Sequence, residues 1–337
     1  MARKLSMKMA INEAIDQEMT RDPSVIVLGE DIVGGAGADG EKDAWGGVLG
    51  VTKGLYAKHG DRLLDTPLSE SAYIGAAIGA AACGMRPIAE LMFIDFMGVC
   101  FDQIFNQAAK FRYMFGGKST CPVVIRMAMG AGMNMGAQHS QSIYAFLTAV
   151  PGLKVVVPSN AYDAKGLMIQ AIRDDDPVMF FEHKALYPKK AEVPEEAYTV
   201  AFGEANVLRE GDDATVVAIG RMVSFAEKAL DGLAAQGIRC DLIDPRSTSP
   251  LDEKTILGSV ENTGRLIVVD ESPPRCSVAS DIAAMVASRG FDSLQAPVEL
   301  VTPPHSPVPF SPALERAYVP GPQKIADAIR RTLAARR

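Results

Sequence analysis

Cysteine is scarce in this chain and follows no pattern. Cys83, Cys100, Cys121, Cys240 and Cys276 form no Cys-x-x-Cys pair. That excludes the usual zinc and redox spacings, and the odd count fits a reducing compartment. Long apolar runs are also lacking. The longest weakly polar stretch, residues 72–85, falls short of the about 20 residues a helix needs to cross a bilayer. Residues 1–11 hold no apolar core of a secretory leader. Basic clusters interleaved with aromatics do not occur; Lys189-Lys190 is the one notable basic pair before the tail, and the net charge is −7. General nucleic-acid binding is therefore not expected. The expectation is a cytoplasmic protein with neither nucleic-acid nor membrane partners.

Common catalytic signatures are missing as well. A phosphate loop ending in Gly117-Lys118-Ser119 would need its first glycine where Arg112 stands, so Gly116-Gly117 reads as a helix stop. Gly75, Gly79 and Gly84 follow no strand directly. They read as close helix packing rather than a dinucleotide fingerprint. No serine sits in a Gly-x-Ser-x-Gly elbow, and no His-Glu-x-x-His occurs. A Gly-Asp-Gly followed by a distant Asn, which marks a magnesium–diphosphate site, is also absent; Gly211-Asp212-Asp213 does not supply it.

What is present is a well-patterned α/β chain. Its 337 residues, 48% of them hydrophobic, suggest two domains with sizeable cores. Met7, Ile11, Ala14, Ile15 and Met19 recur at helical spacing behind Ser6, a good N-cap. Strands are expected at 25–28, 88–93, 123–127, 155–157 and 178–181, alternating with helices at 71–84, about 98–115 and about 161–173. Apolar strands alternating with helices imply a mostly parallel sheet covered on both faces. Residues 34–50 hold seven glycines and the single tryptophan, Trp45, and read as a long loop. Residues 1–184 form one expected domain, 185–200 a linker and 201–337 a second α/β domain. The second has strands near 214–219, 240–243, 266–270 and 298–301, helices near 223–236, 277–289 and 323–335, and an extended connector over 303–312.

Three places attract chemistry. Asp65-Thr66-Pro67-Leu68-Ser69-Glu70 sets a carboxylate at the mouth of a helix rich in Gly and Ala. Two readings are open for Glu70: a helix-start acid favoured by the dipole, or a carboxyl whose apolar setting suits it to share a proton. His139 ends a Met- and Gly-rich loop that follows a strand, and ligands bind beyond the carboxyl ends of parallel strands. It is either a hydrogen-bonded loop residue or a proton donor and acceptor. Asp174-Asp175-Asp176 is either a solvated helix end or an oxygen-rich turn able to hold a cation.

Residues 65–70, 90–96, 137–141, 151–156 and 171–174 resemble the beta subunits of the thiamine-diphosphate-dependent first component of 2-oxo-acid dehydrogenase complexes. The similarity runs from about residue 4 to the C-terminus. Within that family, residues 34–55 and Phe111-Arg112-Tyr113-Met114-Phe115-Gly116-Gly117 look most like acetoin dehydrogenases; pyruvate dehydrogenase is the alternative. The resemblance implies a transketolase-like pyrimidine-binding domain followed by a transketolase C-terminal domain. It implies an alpha subunit that holds Mg2+ and the diphosphate, which accounts for the missing signature, and an α2β2 heterotetramer sharing thiamine diphosphate. It also implies that the C-terminal domain docks a dihydrolipoamide acetyltransferase core.

The resemblance assigns residues too. Glu70 matches the glutamate that hydrogen-bonds the cofactor's pyrimidine ring and favours its imino tautomer. Leu68, Met92 and Phe96 match the apolar and aromatic contacts of that ring. His139 matches the histidine that handles protons of substrate and the transfer to lipoyl. Val123, Ala171, Ile172, Asp174 and Asp176 align with a potassium site, Asp176 standing where the pattern has Asn. A subunit that only docks the acyltransferase is the alternative from another class.

Overall fold

The structure, a computed structural model, describes residues 3–34 and 45–335. The Gly-rich stretch read as a loop therefore lies outside the described residues over 35–44. The chain divides into two compact units. The first holds residues 1–129, 146–182 and 186–201; the second holds 130–145, 183–185 and 202–337.

The first unit begins with β1 (Lys4–Ser6) and α1 (Met7–Arg21). Ser6 caps α1 by accepting from the Met9 N–H, and the apolar stripe expected from spacing is buried. β2 (Val25–Gly29) follows, then α2 (Leu55–His59), β3 (Leu63–Asp65), α3 (Glu70–Ala82) and β4 (Arg86–Phe93). Next come α4 (Met97–Asp102), α5 (Phe111–Met114), β5 (Val124–Met129), α6 (Ala145–Thr148), β6 (Lys154–Val156), α7 (Ala161–Arg173), β7 (Val178–His183) and β8 (Lys190–Glu192). Strand order across the sheet is β6-β7-β5-β4-β2-β3. The pairs β2–β3, β2–β4, β4–β5 and β6–β7 are parallel, as the apolar runs predict.

Register brings chemistry to one end of this sheet. Gly29 faces Asp65 on one side and Glu90 on the other. A Cβ at Gly29 would lie 3.0 Å from both the Glu90 Cβ and its carbonyl oxygen, so only glycine lets these strands close up here. Asp65 uses its carboxylate to accept from Val33 N–H (2.7 Å) and Gly34 N–H (3.0 Å). The first acid of the 65–70 motif thus anchors the backbone that leads into the glycine-rich stretch.

Two expectations change in detail. The helix expected at 98–115 is broken: α4 runs into a π-helical turn over Gln103–Ala108 before α5. Phe101 and Phe105 stack at 5.3 Å across it, and Gly116 and Gly117, both with positive φ, end α5. The segment read as a linker carries β8, antiparallel to β1. Lys165, fully buried on α7, ties down the residues beyond it by donating to the carbonyls of Pro194, Glu195 and Glu196 and to Glu13.

The second unit holds β9 (Asn206–Arg209), β10 (Ala214–Ala218), α8 (Met222–Ala234), β11 (Cys240–Asp244), β12 (Ser247–Ser249), α9 (Glu253–Thr263), β13 (Leu266–Val269), α10 (Val278–Arg289), β14 (Glu299–Val301), α11 (Pro312–Tyr318) and α12 (Pro322–Ala334). Its sheet has the order β14-β13-β10-β11-β9, with β9 antiparallel and the other pairs parallel. Ala214, Val216 and Ala218 from β10, Ile267 and Val269 from β13, and the inner faces of α8 and α12 form its core. Helix α9 was not expected. Asp252 caps it by accepting from Thr255 N–H and Gly264 ends it in the left-handed region.

Candidate functional site

In the first unit the residues expected at the site follow the carboxyl end of β3 or lie at that of β4. Glu70 is the first residue of α3, partly exposed. Leu68, two residues earlier, is 82% exposed. Met92 and Phe96 are half-buried, Met92 near the end of β4 and Phe96 in the turn after it. The Phe96 ring meets Phe93 edge-on at 5.6 Å.

The decisive neighbour is Glu30, which sequence reasoning passed over. It follows β2 directly and is 3% exposed. Both carboxylate oxygens are buried with no hydrogen-bond partner. Burial pushes its pKa up to about 7, with Glu70, Asp31 and Glu90 adding repulsion. A buried carboxyl without a partner holds its proton near neutral pH. Burial also raises the Tyr73 phenol on α3, with Glu30 and Glu70 contributing.

Behind Glu30 lies a buried ionic group. Arg126 on β5 donates to Glu90 on β4 and, through Nε and Nη2, to Glu182 on β7 at 2.7 and 2.8 Å. Tyr187 completes it, donating to Glu182 at 2.6 Å. Burial opposes the guanidinium charge, but Glu182 and Glu90 outweigh it and raise the Arg126 pKa. Burial raises Glu90, which Arg126 offsets only in part. The sequence carried a signal for this group: Glu90, Arg126 and Glu182 interrupt apolar runs inside β4, β5 and β7, and Glu90 and Arg126 are register partners.

Of the aligned cation residues, Asp174 and Asp176 lie in the turn after α7, Ala171 and Ile172 in its last turn, and Val123 just before β5. Arg86 donates to the carbonyls of Ile172 (3.0 Å) and Asp174 (2.9 Å). Lys154 donates to both Asp174 carboxylate oxygens, and Arg112 to Asp176. The Val123 carbonyl accepts from Val178 N–H and the Ala171 carbonyl from Asp174 N–H. Each of the five residues thus already has an oxygen engaged by a protein donor. A bound cation would compete with Arg86 and Lys154.

His139 belongs to the second unit. Its loop is closed at the base by Gly130 N–H donating to the Gln141 carbonyl at 3.1 Å. Lys184 donates to the His139 carbonyl. Tyr144 donates to Asp270, whose pKa burial pushes up to about 6 against the hydrogen bonds of Tyr144 and Ser272.

Comparison with known proteins now bears on this geometry. The family described as transketolase, pyrimidine binding domain matches residues 3–190, and the transketolase C-terminal domain matches 203–325. An acetoin:2,6-dichlorophenolindophenol oxidoreductase subunit beta of Cupriavidus necator is 70% identical, covering 99% of this chain and 98% of its own. The chain belongs to the beta subunits of the thiamine-diphosphate-dependent dehydrogenases. A Bacillus subtilis subunit of the same description is 57% identical over 97% of the chain and 96% of its own. A 2-oxoisovalerate dehydrogenase subunit beta of that bacterium is 43% identical over 95% and 96%. Among solved structures, a split-gene transketolase described as an inactive beta4 tetramer superposes with a TM-score of 0.76 at 23% identity, over 99% of each chain, and shares the fold. A pyrimidine-binding domain implies thiamine diphosphate, and a beta subunit implies an alpha partner. Among the described residues no helix is long and apolar enough to cross a membrane.

Proposed function

We propose that this chain is the beta subunit of an acetoin dehydrogenase. It works with an alpha subunit in an α2β2 assembly, cleaving acetoin to acetaldehyde and an acetyl unit passed to lipoyl-lysine of an acyltransferase core. One observation carries the reading. Identity to acetoin-linked subunits is 70% and 57%, against 43% for a 2-oxo-acid subunit, although one relative of each kind comes from the same bacterium. Pyruvate dehydrogenase is the alternative, with relatives at about 41%. Acetoin carries no carboxylate, whereas a 2-oxo acid needs a cationic or hydrogen-bonding partner. Arg126 is committed to Glu90 and Glu182, which fits a neutral substrate.

Thiamine diphosphate, when bound, would supply a nucleophilic carbon and an electron sink for the substrate carbonyl. The residues here fit its pyrimidine end. Glu70 would hydrogen-bond a nitrogen of that ring. Leu68, Met92 and Phe96 supply apolar contact; the exposure of Leu68 fits a surface that other groups cover. Glu30, protonated near neutrality, restrains the charge around Glu70. His139 gives and takes the protons of substrate and product. Mg2+ and the diphosphate belong to the alpha subunit, and the C-terminal domain docks the acyltransferase. The whole assembly is cytoplasmic.

Glu70→Gln in the co-expressed assembly tests the assignment. Loss of a positioned proton-sharing group costs about 100-fold or more in kcat. The expected result is that loss with the heterotetramer intact. Full activity would mean that the chain only docks the acyltransferase.

A further inference from the structure

The loop that carries His139 is held by two neighbouring residues to which nothing above gives a role. His183 is 1% exposed and Lys184 is 1% exposed; both lie at the end of β7, within the second unit. His183 presents Nδ1 as acceptor to the Ala185 N–H at 3.2 Å. Its proton therefore sits on Nε2, which donates to Glu271 Oε2 at 3.0 Å. The other oxygen of Glu271 accepts from the Ala131 N–H at 2.6 Å. Ala131, the second residue of the loop, also has its carbonyl taken by Arg221 at 3.0 Å.

Glu271 stands firm at the centre of this arrangement. Burial would raise its pKa, but His183, Arg221 and the Ala131 N–H outweigh burial and hold it below the usual range. Packing closes the same contact. Gly130 lies against the His183 ring with φ +92°, and a Cβ there would come within 2.1 Å of Nε2. No other residue fits that place without moving the ring. At the far end of the loop, Lys184 donates to the carbonyl of His139 itself. Midway, Asn134 N–H donates to the Glu315 carboxylate at 3.1 Å.

We infer that His183, Lys184 and Glu271 are positioning residues for His139. The His183–Glu271 pair fixes the start of the loop through Ala131 and Gly130, and Lys184 fixes the backbone of His139. Adjacent residues at one strand end thus grip both ends of the segment that carries the proton-handling imidazole. None of the three is given contact with substrate. Their effect reaches the reaction through the placement of His139, and a displacement of about 1 Å there costs on the order of 100-fold. The inference rests on the role proposed for His139.

A double-mutant cycle in the assembled, thiamine-diphosphate-loaded enzyme tests it. His183→Leu and Lys184→Met should each lower kcat with acetoin by roughly 10- to 100-fold, with KM changed little. His183→Gln keeps an amide donor for Glu271 and should recover most of the loss. Placed in a His139→Ala background, His183→Leu and Lys184→Met should cost almost nothing more. Losses that multiply in that background would overturn the inference, as would a Gln variant no better than Leu. Should His183→Leu fail to assemble, Lys184→Met carries the same cycle. A fully active His139→Ala enzyme refutes the role of His139 itself; that failure is read with the three positioning residues intact, so it is distinct from failure of the clamp.

Discussion

At the scale of single residues, the acids near α3 divide by environment. Glu70 begins a helix and is partly exposed; Glu30 is sealed without partners. The sequence made Glu70 legible because a carboxylate before a run of small residues is conspicuous. Glu30 was not, since an acid after a strand reads as loop, and only burial reveals its cost. That cost has a pH signature. Glu30 takes its proton near 4.5 when unfolded and at about 7 when folded. The native state binds the proton more tightly, so this contribution is full below about pH 4.5 and is lost as pH rises through about 7. Glu30→Gln keeps the neutral form at every pH. Its melting temperature relative to the parent chain should climb between pH 4.5 and 7.5. A difference flat with pH would show that folding leaves the Glu30 pKa at its unfolded value.

At the scale of elements, regular segments with strong periodicity were legible. Helix α1 with its Ser6 cap, α7 and the parallel strands follow from spacing and apolar runs. Segments set by long-range contacts were not. The break into a π-helical turn at Gln103–Ala108 depends on packing, and apolar spacing alone predicts one helix. Strand β8 exists through its pairing with β1, distant in sequence. Helix α9 has a weak apolar stripe, and its cap geometry at Asp252 is what marks it. The loop after β5 was legible as a loop carrying His139, but the groups that hold it come from β7 and the turn after β13, which no local pattern connects. One glycine in an element junction gives a sharp test. Gly152 adopts φ +98°, and a Cβ there would lie 2.0 Å from the Ala109 carbonyl oxygen. Because that neighbour is backbone, Gly152→Ala should cost about 2–5 kcal/mol. Chemical denaturation checks it; an unchanged midpoint would mean that the junction yields freely.

At the scale of the whole molecule, the chain holds part of a catalytic apparatus. It carries a pyrimidine-binding domain but no magnesium–diphosphate signature, and its relatives are named as subunits. The absence of that signature was legible in the sequence, and the need for a partner followed from the resemblance, which the relatives' description as beta subunits supports. Substrate choice was legible in the sequence only through resemblance, because the pairing that commits Arg126 to Glu90 and Glu182 is set by strand register and shows only in the fold. The most direct measurement is steady-state turnover of the co-expressed alpha–beta assembly with a dye acceptor. Acetoin, pyruvate and a branched 2-oxo acid would be offered in parallel. The account predicts a preference for acetoin of about tenfold or more in kcat/KM, equivalent to about 1.4 kcal/mol in the transition state. Equal or faster turnover of pyruvate would contradict it.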